Sequence, residues 1–202
     1  MSRISIITIY ILGLFSTFSF AQDFKAEIEK FREEYKAEFL KSKFSPLKQE
    51  DFEYLRFYEP NPKFRVECTF VATKNGKPFE LPTSSGETKT YVKFGELTFQ
   101  LDGKKHTLAV YKSPEMQQIP HYRDYLFIPF KDLTNGKESY GGGRYIDLRM
   151  RQLDKDKVIL DFNKSYNPYC AFSEEYSCPI PPKENHLTIA IEAGEKNYGK
   201  SH

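Results

Sequence analysis

Two cysteines and a histidine stand close together in residues 166–196, a loop that also holds four prolines and two asparagines. Seven residues separate Cys170 from Cys178, so the loop can fold back and join their sulfurs. A disulfide over so short a loop would stabilise the fold by about 2–3 kcal/mol. The alternatives are a zinc site, which needs two further ligands at familiar spacing, and a Cys–His nucleophile pair with His186. We predict the disulfide and no metal site.

A run of three glycines leads into an arginine and a strand-like segment at residues 140–147. Glycines can expose backbone N–H groups as an anion cradle, and the Arg144 guanidinium suits a carboxylate or phosphate. However, no Gly-Lys-Ser/Thr ending and no helix follows the glycines, so neither phosphate-binding motif is present. The run therefore favours a tight turn that enters a strand. Arg144 and Asp147 are three residues apart, which predicts that they point to opposite faces of that strand.

Polar side chains are also dense at residues 161–167, where Asp161 and Asn163 precede an Asn-Pro turn signal. Structural roles are the default interpretation for these residues, and ligand contact is the alternative. We predict that the glycine turn and the cysteine loop meet in space, because buried donors and acceptors need partners. The predicted binding site or polar cluster consists of Tyr140, Arg144, Asp147, Asn163, Tyr166, Asn167, Asn185 and His186.

A helix that packs on the rest of the domain is predicted for residues 22–45. Its apolar residues recur at spacings of three and four, which places them on one face, and charged residues fill the other face. These apolar positions are Phe24, Ile28, Phe31, Tyr35 and Phe39.

From Phe64 onward the apolar residues alternate with polar ones, as in half-buried strands. Asp102-Gly103 lies between two such runs and is a strong hairpin signal. Residues 46–202 are therefore predicted to form a single antiparallel β-barrel or sandwich of about eight strands, which makes the protein mainly β. Further strand candidates are Thr88–Phe94, Tyr125–Phe130, Arg144–Met150, Lys157–Phe162 and Leu187–Ala193.

The first 21 residues have the pattern of a signal peptide. Arg3 supplies the positive charge, Ile4–Phe15 is apolar, and a small-x-small site ends at Ala21. A retained membrane anchor is the alternative, but the apolar run is shorter than the roughly 20 residues that a spanning helix needs. We predict cleavage after Ala21, export to the periplasm or the medium, and no transmembrane anchor after cleavage.

The charges of the chain are balanced, with a formal net charge of +2 and basic and acidic residues interleaved throughout. This pattern lacks the basic patch of a nucleic-acid-binding protein and the polybasic cluster that holds an anionic membrane. No cofactor is predicted. The expected partner is an unidentified small molecule or envelope component.

The chain resembles a bacterial family, the domain of unknown function 1684 in its short form, from about Lys25 to Lys196. The resemblance implies an exported or envelope setting and a β-rich fold, and it implies no reaction. It depends on several motifs taken together: Leu126–Gly136, Tyr140–Asp147, Leu160–Asn163, Tyr166–Cys170, Cys178-Pro179, Asn185–Leu187 and Ala193–Lys196.

Two hypotheses about function follow. The first is a non-catalytic module that binds a small molecule, a glycan or an envelope partner, in which tyrosines supply flat, amphipathic contact area. The second is a hydrolase-like enzyme with Asp147, Asp161, His186 or His121 as general base, although no Ser-His-Asp order or paired-carboxylate spacing is found. The tyrosines of the first hypothesis are Tyr91, Tyr111, Tyr140, Tyr145, Tyr166, Tyr169 and Tyr176.

Overall fold

The computed structural model describes residues 4–153 and 157–200, with side chains from Gln22 onward. The predicted signal peptide, residues 1–21, therefore lies outside the residues whose side chains are described. Within the described chain, no helix is both long enough and apolar enough to cross a membrane.

The helix α1 spans Ile4–Lys41. Its apolar face is buried, with Ile28 fully covered and Phe24 and Phe39 nearly so. Arg65 joins the helix to the sheet, because its guanidinium lies 4.5 Å from the centre of the Phe24 ring and 2.7 Å from the Glu27 carboxylate. The helix thus packs on its own domain.

Seven antiparallel strands form one curled sheet in the described part of the chain, in the order β6-β5-β4-β3-β1-β7 with β2 paired to β3. This confirms the prediction of a mainly β, antiparallel fold with one N-terminal helix. The curl gives half of a barrel. The strands are β1 Arg65–Ala72, β2 Pro78–Pro82, β3 Thr88–Leu101, β4 Lys104–Lys112, β5 Tyr125–Phe130, β6 Arg144–Arg149 and β7 Val158–Asp161.

The hairpin between β3 and β4 turns at Asp102 and Gly103, whose φ angles of 51° and 71° match a two-residue hairpin turn. Strand β3 is longer than predicted because it joins two predicted strands through Gly95, where the register with β4 shifts. A Cβ atom at Gly95 would lie 2.6 Å from the Val71 carbonyl oxygen, so this crossing requires glycine.

The prediction of a strand at Leu187–Ala193 is wrong. This segment runs parallel to residues 131–133, where the Leu187 N–H donates to the Lys131 carbonyl (2.7 Å). Further along, the carbonyls of Ile191 and Ala193 accept hydrogen bonds from the Arg144 side chain. A side chain thus takes the acceptors that a neighbouring strand would have used.

The two faces of the sheet bury different side chains. One face carries an aliphatic and phenylalanine core that includes Leu97, Leu108 and Ile128. The opposite face carries a second, aromatic cluster that includes Tyr91, Tyr111, Tyr125, Phe127 and Tyr145. Strand β5 is buried on both sides for this reason.

The sheet edge at β6 is covered by the chain that follows β7. Tyr145 and Tyr166 exchange two backbone hydrogen bonds of 2.9 and 3.0 Å. This bridge brings residues 165–179 over the aromatic face, beside α1.

Candidate functional site

Arg144 is fully buried and holds the last segment of the domain in place. Its guanidinium donates to the carbonyls of Ile191 (2.8 Å) and Ala193 (2.5 Å) and pairs with the Asp132 carboxylate at 2.8 Å. The preceding Gly143 has a φ of 100°, and its N–H donates to the Tyr140 carbonyl. The glycine run therefore forms a packed turn, and Arg144 is bound to protein groups.

Glu195 is a second buried charge-bearing residue in this region. Its Oε2 accepts hydrogen bonds from the Asn167 N–H (2.8 Å) and the Tyr35 hydroxyl (3.0 Å), which ties α1 to the domain. Burial raises the pKa of Glu195 to about 8. Glu195 Oε1 and Asn167 Oδ1 are buried with no hydrogen-bond partner among the described residues. The carboxyl is therefore mostly protonated at neutral pH.

The predicted polar residues fall into separate places. Arg144 and Asn167 both bind Glu195. The Arg144 guanidinium donates to the Glu195 backbone carbonyl, and the Asn167 N–H donates to the Glu195 carboxylate. Asn163 lies apart and pairs with the backbone of Asn61 (2.8 and 2.9 Å). His186 is exposed, with Nε2 3.0 Å from the Pro181 carbonyl.

Asn185 joins two strands at a point where their own pairing is sparse. Its Oδ1 accepts from the Ala109 N–H (2.7 Å), and its Nδ2 donates to the carbonyls of Ala109 and Pro129 (2.9 and 2.8 Å). Because β4 and β5 pair directly at Tyr111 and Phe127, the Asn185 amide extends that contact. We therefore assign Asn185 an architectural role.

The cysteine loop is closed by a Cys170–Cys178 disulfide with Cα atoms 6.2 Å apart, within the usual range. The loop meets the glycine turn, since the Tyr140 hydroxyl donates to the Cys170 carbonyl (3.4 Å). It also meets β6, since the Tyr145 hydroxyl donates to the Pro179 carbonyl (2.5 Å). Within the described residues, no group of three or more His, Cys, Asp or Glu side chains is arranged to hold a metal ion.

A cavity of about 1320 Å³ lies between the aromatic face of the sheet, helix α1 and the cysteine loop. We call it the tyrosine cavity. The strands contribute eleven of its lining residues, and α1 and the loop close it from the other sides. Its main lining residues are Tyr91, Tyr125, Phe127, Tyr145 and Asp147 from the strands, Tyr35 and Phe39 from α1, and Tyr166, Tyr169 and Tyr176 from the loop region.

Asp147 lies in the wall of this cavity, on strand β6. The hydroxyls of Tyr125 and Tyr166 both donate to its Oδ1, each at 2.7 Å. Its Oδ2 has no hydrogen-bond partner among the described residues. Burial raises the pKa of Asp147, whereas the two tyrosine hydrogen bonds and the charge of Arg149 lower it. The side chain is nevertheless exposed to solvent, and it lines the cavity.

Tyr91 contributes a second free polar group. The residue is only 5% exposed, and no described residue forms a hydrogen bond with its hydroxyl. Burial and the nearby Asp147 charge raise the pKa of Tyr91 to about 12, so the hydroxyl keeps its proton. The Tyr91 hydroxyl and Asp147 Oδ2 therefore give the strand wall of the cavity a donor and an acceptor that no described residue uses.

The charge of the lining is acidic. Six carboxylates and three cations line the cavity within the described chain. Arg65 and Lys164 are engaged by Glu27, and Arg65 also pairs with Asp161. Lys89 donates to the Ser177 carbonyl (2.8 Å). Glu34 and Glu38 pair with Lys30 and Lys41 of α1, so the remaining excess of negative charge is carried by Asp147 and Glu115.

Sequence reasoning named part of this cavity and missed the rest. Tyr91, Tyr145 and Tyr166 were among the tyrosines proposed as contact area, and Asp147 was in the predicted cluster. Tyr125 and Phe127 were missed, although their alternation within β5 places them on one strand face. Tyr35, Asp132 and Glu195 were also missed as polar partners, because only the folded chain brings them to the residues that they bind.

The chain is similar to one protein family and to a solved structure. The family model described as "Protein of unknown function (DUF1684)" matches residues 50–196. Among solved structures, the chain is similar to the solution NMR structure of an uncharacterized protein from Haloarcula marismortui, with 33% sequence identity and a TM-score of 0.67. That match covers 88% of this chain and 96% of the other. A comparison with curated proteins found no match.

Proposed function

The chain belongs to the DUF1684 family of proteins of unknown function, and we propose that it is a non-catalytic protein that binds a small molecule in the tyrosine cavity. The observation that carries this proposal is the pair of unused polar groups, Asp147 Oδ2 and the Tyr91 hydroxyl, in a cavity with aromatic walls. Binding sites of this kind combine apolar area with a few oriented polar groups.

The volume of the cavity suits this role. Ligand sites typically enclose about 300–1,000 Å³, and the tyrosine cavity is larger, at about 1320 Å³. A metabolite-sized ligand fits together with some of its water. The walls come from rigid elements, namely the sheet, α1 and the disulfide-closed loop.

We also propose that the protein is exported. The signal-peptide pattern of residues 1–21 motivates this proposal, and the Cys170–Cys178 disulfide supports it because such bonds persist in oxidising compartments. Mass spectrometry of the protein secreted or exported by its host tests it. A mature N-terminus at Gln22 is expected, and a protein that retains Met1 to Ala21 would contradict it.

A hydrolase-like activity is the second candidate, and the raised pKa of Asp147 inside a cavity favours it. Of the four candidate general bases, the geometry favours Asp147. Asp161 is paired with Arg65 at 2.7 Å and accepts from Asn163, and neither His186 nor His121 lines the cavity. The hydrogen-bond partners of Asp147 within the described chain are both tyrosines, and no described serine, cysteine or histidine side chain is hydrogen-bonded to it.

A ligand-stabilisation screen tests the proposed function, because a ligand that prefers the folded state raises the melting temperature. The library contains cationic, anionic and neutral metabolites together with short oligosaccharides. Met116 packs against the aromatic cluster and lines the cavity, so Met116→Trp should fill part of it. Val71→Trp, at an exposed position outside the cavity, is the matched control.

We expect at least one compound class to raise the melting temperature of the wild type and of Val71→Trp but not of Met116→Trp. No stabilising compound, or stabilisation that Met116→Trp leaves unchanged, would overturn the proposal. Turnover of a stabilising compound that Asp147→Asn abolishes would favour the hydrolase instead.

A further inference from the structure

We propose that the ligand of the tyrosine cavity is an organic ammonium ion whose nitrogen carries alkyl groups, held among aromatic rings next to the free oxygen of Asp147. This inference rests on the proposed function, since it names the chemical class of the small molecule. Three features of the cavity lead to it: the aromatic wall, the charge of the lining and the scarcity of free acceptors beside Asp147.

Four aromatic rings of the cavity contact one another in sequence, one pair stacked and two pairs edge-on. Tyr91 stacks on Phe127 with centroids 5.5 Å apart, and Phe127 meets Tyr145 edge-on at 4.7 Å and 75°. Tyr145 meets Tyr166 at 5.9 Å and 89°. These rings pack on one another and form one continuous aromatic wall, and a cation set against the faces that line the cavity would gain a cation–π attraction, as quaternary ammonium groups do in aromatic sites.

The electrostatics select a cation. Asp147 forms no ion pair with any described residue, and the Arg149 guanidinium, whose charge acts on it, is engaged by Asp124 at 2.9 Å. The lining as a whole carries more carboxylates than cations. A bound cation would neutralise a carboxylate that burial otherwise disfavours.

The supply of hydrogen-bond acceptors beside Asp147 distinguishes alkylated from primary ammonium ions, whereas the Glu115 carboxylate on the same lining is exposed to solvent. A primary ammonium brings three N–H donors that all need acceptors once it is desolvated. The hydroxyls of Tyr125, Tyr145 and Tyr166 already bond to protein oxygens, and one Asp147 oxygen is already used twice. A fully alkylated nitrogen has no N–H group to satisfy and still gains from the rings and from the charge of Asp147.

Isothermal titration calorimetry with two probes of the same shape tests the inference on the intact protein. Choline carries a trimethylammonium group, and 3,3-dimethyl-1-butanol carries an uncharged tert-butyl group in the same place. We expect the wild type to bind choline at least tenfold more tightly than the butanol. Asp147→Asn should weaken choline binding at least tenfold and change the binding of the butanol less than twofold.

Glu67→Gln provides the matched control, because it removes one carboxylate from an exposed strand position outside the tyrosine cavity. It should leave both affinities unchanged. The wild-type comparison of the two probes needs no variant, so the test stands even if Asp147→Asn is unstable. Equal affinities for the two probes would overturn the inference. So would cavity-dependent stabilisation by neutral sugars alone, which would leave the proposed function intact.

Discussion

Replacing Glu195 with glutamine should stabilise the protein increasingly as the pH rises. In the fold the pKa of Glu195 is raised from 4.5 to about 8, chiefly by burial. A carboxyl with a raised folded-state pKa contributes fully to stability below its unfolded-state pKa. That contribution is lost as the pH rises through the folded-state value, because the unfolded chain ionises first. Glutamine does not titrate, so the unfolding free energy of Glu195→Gln does not include this pH-dependent loss.

The magnitude follows from the two pKa values. Between pH 4.5 and pH 8 the wild type loses about 1.4 kcal/mol of unfolding free energy per pH unit relative to the variant. Between pH 5 and pH 7 the difference in unfolding free energy, variant minus wild type, should therefore grow by about 2.5 kcal/mol. The glutamine amide also keeps an oxygen for the bonds from Asn167 and Tyr35, and it places an N–H donor where Oε1 has no described partner.

Urea denaturation of both proteins at pH 5, 6, 7 and 8 measures this difference, and the subtraction removes the titrations that the two proteins share. Glu192→Gln is the matched control, since it makes the same change three residues away at an exposed position. It should show no growing difference. A free-energy difference for Glu195→Gln that stays constant across these pH values, or that shrinks as the pH rises, would refute the reasoning.

Three further predictions concern the architecture around the cavity. Arg144→Ala removes the cation paired with the buried Asp132 carboxylate and the hydrogen bonds to three carbonyls, so it should lower the unfolding free energy by about 3–5 kcal/mol, whereas exposed Lys30→Ala should change it by less than about 0.5 kcal/mol. Equal losses in these two melting experiments would mean that the turn is ordinary surface. The Cys170→Ser/Cys178→Ser double variant should lose about 2–3 kcal/mol while the far-ultraviolet spectrum of the sheet persists; an unchanged melting temperature would contradict this. Asn185→Ala removes three buried hydrogen bonds from the Asn185 amide to β4 and β5 and should cost about 1–3 kcal/mol for each group left unpaired. A loss below about 0.5 kcal/mol would contradict this role.

Much of the sheet was predictable because its signals are local. Alternating burial and Asp102-Gly103 identify β3 and β4, and β5 was predicted at its observed bounds, Tyr125–Phe130. Strand β2 has no such signal, since it is five residues long with proline at both ends. Leu187–Ala193 has the composition of a strand, but Arg144 occupies its acceptors, and this arrangement is set by a residue more than 40 positions earlier in the chain.

The candidate site was predictable only in its parts. Tyrosine-rich and asparagine-rich segments can be read from the sequence, but the cavity depends on contacts between distant segments. Tyr35 and Glu195 are 160 residues apart and join α1 to the domain. Asp147 and Asp161 are the same residue type with different hydrogen-bond partners. Asp147 accepts from a tyrosine hydroxyl, whereas Asp161 accepts from the Arg65 guanidinium. No sequence pattern encodes that difference.

The central claim is that the tyrosine cavity binds an alkylated ammonium ion, and the nuclear Overhauser effect between choline and the protein tests it most directly. At saturating choline, the N-methyl protons should show cross-peaks to the ring protons of Tyr91, Tyr145 and Tyr166, which line the cavity. Cross-peaks only to exposed aromatic residues outside the cavity, such as Phe44, or none at all, would contradict the claim.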